Sequence, residues 1–599
     1  MRPVPDRASP SWVRDLDRRW MALILLCWFV YAGWQLFASW NQIRWLSLGD
    51  TDDNMRLAQV RAWLGGQGWY DLRQYRLNPP QGFDIHWSRL VDLPIAGLIL
   101  FFRLFASASW AERLACGIAP LLPLSVALLG IGATVRRLVH PLAWPLAVAI
   151  LFCAVAPMQM FAPERIDHHG WQLAMLALTL AGLTDPRAVR GGAMVGLATA
   201  ASLSIGLEML PYAAMAGAIL ALRWVWDAGE SERLQAYAAT LGGGSALGYA
   251  AFASYADRIA RCDALTPVWL SVTVAAGGLL FLLARLDPSN RMLRLGLAVA
   301  AAGVIAAGFA LVFPQCLGRP EQVSDELARS WLANVKEARP IYLHPFRLAF
   351  PVAILPVIGL LGMVEAARRA RGTAQWINWL IVGLFAGFAA AMLLWQMRAG
   401  PAAAMLAVPG ATALGVLLLP MVLGHRSAIV RVVGPVAAFM LVTGLFSWYV
   451  VKYLPVDPPT PYRTRVNAAT GECMRTSRLL TLDRYPRAIV FTMVDLGPRL
   501  ITVTHHDAVA GPYHRNGDAI LDVQHAFSRS ATEAHAIIDR HRATLLLLCP
   551  DMSESTIYRS RNPGGFYDQL ARGKTFDWLR PLPLPRRSPY RLFAVDRDE

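Results

Sequence analysis

Asp50, Asp52 and Asp53 stand together in GDTDDNMRLAQVRAWL, directly after the first long apolar run. Carboxylates this close repel one another unless they share a cation or a proton. Hard divalent cations such as Mg²⁺ or Mn²⁺ take oxygen ligands readily, so a metal site is one resolution. A helix N-terminus is the other, with the acids meeting the dipole at the start of MRLAQVRAWL. PERIDHHGWQ adds a carboxylate and imidazoles, a donor set for Mn²⁺ or Zn²⁺ that also tolerates Mg²⁺. In an extended loop Asp167 and His169 point one way and His168 the other.

Two further features stand beside apolar runs. Arg398, in LLWQMRAGPAAAML, lies at an edge of hydrocarbon, where a guanidinium either snorkels to headgroups or meets an anion such as a lipid phosphate or pyrophosphate. The segment 315–345 carries Glu337, and a loop of that length implies structure of its own or a function.

These residues need elements to hold them, and composition says which. Of 599 residues 55% are hydrophobic and 16% charged, which places most of the chain in a bilayer. Apolar runs of about 15–24 residues match the length that crosses about 30 Å of hydrocarbon as helix. Spans are expected near 20–37, 113–134, 141–161, 169–184, 191–210, 212–226, 235–256, 266–284, 294–314, 346–365, 376–396, 402–424 and 429–451, about thirteen transmembrane helices. Leu93–Phe105 is short for a crossing and reads as an interfacial helix in a first external loop, 41–111.

Charge sets the expected orientation. The net charge is +16, but much of the excess lies in short loops between apolar runs, which points to topology and away from nucleic acid. Arg2, Arg7, Arg14, Arg18 and Arg19 precede the first span, so the N-terminus is expected in the cytoplasm, with an uncleaved anchor following. Arg136 and Arg137, Arg187 and Arg190, Arg285 with Arg291 and Arg294, Arg368 with Arg369 and Arg371, and Arg426 then all fall on the cytoplasmic side. Both acidic clusters, Arg398 and the 315–345 loop fall outside, as does the C-terminal part. The expectation is a multi-pass protein of the inner (cytoplasmic) membrane, with 1–454 in the membrane and 455–599 a small periplasmic α/β domain. Its strands are read from AIVFTMV (488–494) and ATLLLLC (543–549).

In this order and on one face, the motifs resemble those of oligosaccharyltransferase catalytic subunits, membrane glycosyltransferases of the GT-C fold. Asp50, five residues before Met55-Arg56-Leu57, is similar to that family's first-loop aspartate. Asp167 and His169 are similar to its second metal motif. Gln396-Met397-Arg398 looks like its Q-x-R, and Glu337 in NVKE looks like its loop glutamate, with Asn334 in place of a threonine. The resemblance implies a divalent metal held by Asp50, Asp167 and His169. It also implies an Arg398 contact to the phosphate of a polyprenyl phosphate- or diphosphate-linked sugar donor. The family's acceptor-gripping WWDYG is absent; MVDLGPRLIT keeps Asp495 and Gly497 without the tryptophans. The acceptor is therefore left open among protein, lipid and glycan. His514 and Arg515, in THHDAVAGPYHRN, line an acceptor groove or satisfy loop hydrogen bonds.

The expected reaction is inverting transfer of a sugar or oligosaccharide, with a carboxylate of Asp50, Asp52 or Asp53 serving the acceptor as base. A flippase or transporter would bury ionisable groups mid-span and show repeats; no repeat is apparent and acidic residues within the spans are few. A scaffold presenting the C-terminal part would not need the acidic clusters. Cys262, Cys316, Cys473 and Cys549 fall outside the spans, and proximity pairs Cys262 with Cys316 and Cys473 with Cys549.

Overall fold

The computed structural model describes residues 11–455 and 458–596; Arg2 and Arg7 lie outside the described residues. Among the described residues nine helices are long and apolar enough to cross a bilayer. A tenth span is made if Ala428–Thr443 and Phe446–Tyr453, bent by 84°, count as one.

The other three expected spans are also helical but differ in kind. The 141–161 run breaks at Ala154, whose extended backbone separates Trp144–Cys153 from Val155–Gln159. The 169–184 run is the 15-residue helix His169–Leu183. The 235–256 run becomes Ser231–Phe252, 22 residues with serine, threonine and several glycines among its apolar residues. The expected thirteen is therefore corrected to nine or ten by length and apolarity. A helix enclosed by other helices does not meet lipid along its length, so neither full length nor full apolarity is imposed on it. The run at 93–105 is the 11-residue helix Asp92–Phe102, too short to span, as expected.

Glycine allows the closest helix approach. A Cβ on Gly410 would lie 1.9 Å from Gly359 O, and one on Gly362 would lie 2.0 Å from Gly410 O. Phe346–Arg369 and Gly400–Leu423 thus touch backbone to backbone, a small-residue contact of the kind that holds helices together in lipid.

The loop after the first span carries a hairpin of β1 (Arg73–Gln74) and β2 (Phe83–Asp84). The C-terminal part holds β3 (Ile489–Phe491), β4 (Asp507–Ala508), β5 (Leu545–Leu548), β6 (Leu579–Leu582) and β7 (Arg591–Val595) in the order β4-β3-β5-β7-β6. β3 is parallel to β4 and β5, and β7 antiparallel to β5 and β6. The two apolar runs read as strands are thus adjacent central strands, and fully buried β5 is a continuous leucine run.

The β4 edge is not left open. Ala508 N–H donates to Arg76 O and Asn78 N–H to Ala508 O, both at 2.9 Å, so the first loop covers the edge. Met55, Leu77, Phe83, Ile85 and Trp87 from that loop share one apolar core with the sheet. Both expected disulfides are present. Cys262–Cys316 has Cα atoms 5.4 Å apart, and Cys473–Cys549, at 6.3 Å, ties Pro461–Cys473 to the end of β5.

The 315–345 segment has structure of its own. It contains the helix Asp325–Ser330, and Leu327 enters the core beneath the sheet. Its second half is tied to the Arg398 turn, with Met397 N–H donating to Arg339 O at 2.8 Å and Ile341 N–H to Leu393 O at 2.9 Å.

Candidate active site

Asp50 caps the helix Thr51–Leu64, its Oδ1 accepting from Asp52 N–H at 3.0 Å. Its other oxygen faces away from the helix, toward Arg165. Arg165 Nη1 donates to Asp50 Oδ2 at 2.6 Å and to Asp53 Oδ2 at 3.1 Å, and its Nη2 is 3.7 Å from Asp167 Oδ2. Asp53 Oδ1 accepts from Asp167 N–H at 3.0 Å. The capping reading is realised by one oxygen of Asp50, and its other oxygen is met by the Arg165 guanidinium.

The DHH segment is not extended. His168 has helical φ and ψ and the helix begins at His169, so successive side chains diverge by about 100° in place of the alternation expected of a strand. His168 lies between two carboxylates, with Nδ1 2.5 Å from Asp167 Oδ1 and Nε2 3.0 Å from Glu208 Oε1. Burial opposes charge on that ring, but Asp167 and Glu208 outweigh it and push its pKa up to about 10. Beneath it Arg56 is fully buried, bonded to Asp92 Oδ1 at 2.9 Å and stacked over Trp87 at 4.7 Å.

His169 is oriented differently. Gln172 Nε2 donates to Glu208 Oε2 at 2.7 Å and Gly206 O at 3.3 Å, which fixes the amide and turns Oε1 toward His169 Nδ1 at 3.3 Å. Nδ1 must then carry the proton, so Nε2 keeps its lone pair. That nitrogen is 3.3 Å from Asp167 Oδ2, a buried oxygen that accepts no hydrogen bond. In the tautomer with Nδ1 protonated, the imidazole presents Nε2 as a ligand atom beside the unbonded Asp167 Oδ2, a pairing that fits a divalent cation. Asp167, His168 and His169 each offer a ligand atom within 4.8 Å of the others.

The remaining carboxyls are shifted upward. Burial, against the pull of Arg165, takes Asp53 to about 7. Asp52 is raised by burial and by Asp167 and Asp50. From the C-terminal part Asp495 is raised to about 6 by burial and by Asp50. Glu554 grips the backbone of its turn, accepting from Val494 N–H at 2.8 Å and Asp495 N–H at 2.9 Å. The helix Gly497–Val503 runs along Thr51–Leu64, with Thr502 Oγ1 donating to Asn54 O at 2.9 Å and Arg61 Nη1 to Thr502 O at 2.6 Å. Tyr513 OH closes over the site, donating to Thr51 O at 2.9 Å. Gly497 is set by packing, since a Cβ there would lie 1.8 Å from Ala510 O. A small apolar pocket lined by Ile95, Pro120, Pro123, Met160 and Trp171 is also bordered by Arg165 and Asp167.

Comparison with solved structures finds this architecture in the archaeal oligosaccharyltransferase AglB of Archaeoglobus fulgidus. Its apo form superposes with a TM-score of 0.64 at 16% identity, covering 96% of this chain and 74% of that one. The chain has the GT-C fold. AglB in complex with an inhibitory peptide and a dolichol-phosphate gives a TM-score of 0.63 at 15% identity, over 94% of this chain and 73% of that one. The oligosaccharyltransferase complex with zinc and sulfate gives 0.58 at 15% identity, over 92% and 70%. No family model matches the chain, and neither does any curated protein.

The GT-C frame brings Asp50, Asp52, Asp53, Asp167, His169 and Asp495 together, and leaves other expected residues elsewhere. Arg398 is exposed on the turn Met397–Ala399, which packs against the turn Lys336–Ala338 bearing exposed Glu337. His514 and Arg515 do not line an open groove. They are buried against Asp263 and Asp257, in bonds of 2.6–2.7 Å that join the C-terminal part to the segment before Pro267–Leu286. Both side chains serve docking.

Arg165, Gln172, Glu208 and Glu164 are the residues that sequence reasoning missed. Glu208 carried a signal, an acid inside an expected span. Arg165 and Glu164 sat inside the motif already singled out. Glu164 is buried with neither oxygen hydrogen-bonded, and burial followed by Asp53 pushes it up to about 9.

Proposed function

We propose that the protein is a metal-dependent membrane glycosyltransferase. It moves a sugar or oligosaccharide from a polyprenyl phosphate- or diphosphate-linked donor to an acceptor, on the membrane face that carries the C-terminal sheet. The observation that carries this reading is the convergence of Asp50, Asp167 and His169 with Arg165, beside a small apolar pocket that Arg165 and Asp167 border. A guanidinium beside an apolar pocket suits the phosphate of a lipid. The neighbours were solved with dolichol-phosphate and an inhibitory peptide, or with zinc and sulfate, and these ligands agree in chemical class.

Asp50, Asp167 and His169 would hold the divalent cation, Mg²⁺ or Mn²⁺, which when bound supplies positive charge for the leaving phosphate. Arg165 binds and orients the donor phosphate, and Arg398 supplies a second guanidinium on an exposed turn. His168 is kept charged between Asp167 and Glu208 and fixes the direction of the Asp167 carboxylate. Asp52 and Asp495, set beside Asp50, are the carboxylates placed to take the proton of the acceptor hydroxyl or amide as the sugar is displaced with inversion. The acceptor approaches between the helix Thr51–Leu64 and the turn Val494–Leu496.

The test is release of polyprenyl phosphate from synthetic short-chain lipid-linked sugars by the purified protein in nanodiscs. Release should require a divalent cation. It should fall at least 100-fold in Asp167→Asn and His169→Ala, beyond the 10–100-fold typical of removing an outer partner of a ligand. Release by both variants at the parent rate in metal-free buffer would overturn the reading.

A further inference from the structure

Asp483, His505 and His506 form a second cluster, on the C-terminal part and outside the candidate active site. Asp483 sits in the turn Leu480–Arg484, and the histidines directly precede the edge strand β4. One carboxylate oxygen and one ring nitrogen from each histidine lie within 4.8 Å of one another.

Each histidine has its tautomer fixed by a backbone carbonyl. His505 Nε2 lies 2.8 Å from Tyr485 O, and His506 Nε2 lies 3.0 Å from Leu482 O. A carbonyl oxygen only accepts, so both Nε2 atoms carry protons and both Nδ1 atoms are the available ligands. His505 Nδ1 is 3.3 Å from Asp483 Oδ1. His506 is 0% exposed, and its Nδ1 is buried without a hydrogen-bond partner. A buried imidazole nitrogen without a partner costs free energy unless something completes it.

The spacing and the outer partners agree. Ligands about 2.0–2.1 Å from a tetrahedral ion stand about 3.3–3.4 Å apart, which is the His505–Asp483 separation. Imidazoles whose other nitrogen is bonded to a carbonyl are the usual form of a metal-binding histidine. Arg76 holds the segment in place, donating to Thr504 O at 2.9 Å and His506 O at 2.6 Å. Asp483 and His505 are 36% and 42% exposed in their side chains, which leaves an open position for water.

We propose that Asp483 together with Nδ1 of His505 and of His506 is a binding site for a zinc-class divalent transition metal. The two-imidazole donor set favours Zn²⁺, Ni²⁺ or Cu²⁺ over Mg²⁺. Bound there, the ion clamps the turn Leu480–Arg484 onto the edge of the sheet where the first loop also docks.

Zinc content separates this site from the candidate active site when both are varied. Full-length protein carrying Asp167→Asn and His169→Ala is stripped with chelator, equilibrated with Zn²⁺ and desalted. It should retain one equivalent, with an X-ray absorption spectrum showing imidazole ligation. Adding His505→Ala, or in a separate protein Asp483→Asn, should remove that equivalent; both residues are exposed enough to change without disturbing the core. Zn²⁺ should also slow proteolysis near residue 484 in the parent and not in these variants. Retention of the same zinc by His505→Ala and Asp483→Asn, or no retention before they are introduced, would reduce the cluster to a hydrogen-bonded Asp–His pair and overturn the proposal.

Discussion

Replacing Arg515 by methionine separates a docking role from an acceptor-binding one. The guanidinium is 4% exposed and lies against Asp257 and Asp263, 6% and 10% exposed. It donates to both oxygens of Asp263 at 2.7 Å, to Asp257 Oδ1 at 2.7 Å and to Ile85 O at 3.1 Å. Methionine keeps the apolar stem and leaves two carboxylates facing each other in a buried seam, with only His514 and Ser254 as remaining side-chain partners. Removing one partner of a buried pair costs about 3–5 kcal/mol. Those remaining partners argue for the lower end, about 3 kcal/mol, or about a 100-fold rise in the open population of the seam. Native-state proteolysis with dilute protease in nanodiscs follows that population and should accelerate by about 100-fold. Adding Asp257→Asn and Asp263→Asn removes the unpaired charge and should return the rate to within about 10-fold of the parent. Equal rates for the single and triple variants, or a single variant as resistant as the parent, would refute the docking account. A changed acceptor KM with unchanged proteolysis would instead restore the acceptor role.

Gln172→Leu, which releases the proton position on His169, should weaken Mn²⁺ binding by about 10–100-fold, measured by titration on chelator-stripped protein. Arg398→Ala should raise the donor KM and leave divalent-cation affinity unchanged, since that turn shares no bond with Asp167 or His169; steady-state kinetics with a lipid-linked donor read the first and metal titration the second. Gly410→Ala inserts a methyl against Gly359 O and should cost about 1–3 kcal/mol, seen as a lower midpoint of thermal aggregation. Acid should loosen the seam. Burial works to raise the Asp263 carboxyl, but Arg515 and His514 hold it well below the usual range. Its contribution is therefore present above the ordinary aspartate pKa of about 4 and is lost as pH falls below it, so seam proteolysis by an acid protease should rise from about pH 4 downward.

Much of the fold is legible in the sequence because the bilayer imposes a length and a polarity on each lipid-facing helix. His169–Leu183 escapes that rule because neighbouring helices bury most of it, and Ser231–Phe252 because its serines, threonine and glycines lower its apolarity. The acids at 50–53 and the DHH segment were readable by residue type, and the cysteine pairs by which face they share. What the chain did not disclose is which cation meets which acid. Arg165 reaches Asp50 across 115 positions, and Gln172 matters only because its amide is pinned by Glu208. His514 and Arg515 looked like ligand-binding residues for the same reason; Asp257 and Asp263, which occupy them, lie some 250 residues earlier. The first loop also joins the core beneath the C-terminal sheet, so the expected boundary at 454 divides the chain but not its packing.

The bond from Tyr513 to Thr51 spans 462 residues. At about 5–20 residues per second, roughly half a minute to a minute and a half separates synthesis of the first aspartates from synthesis of the tyrosine that closes over them. Until then Asp50, Asp52 and Asp53 stand without Asp495 and Tyr513 opposite them. Catalysis would therefore begin only when the last quarter of the chain has been delivered to that face, folded and seated. On the proposed function, a chain that ends short of it would be a membrane bundle without Asp495 and Tyr513 and without transfer activity.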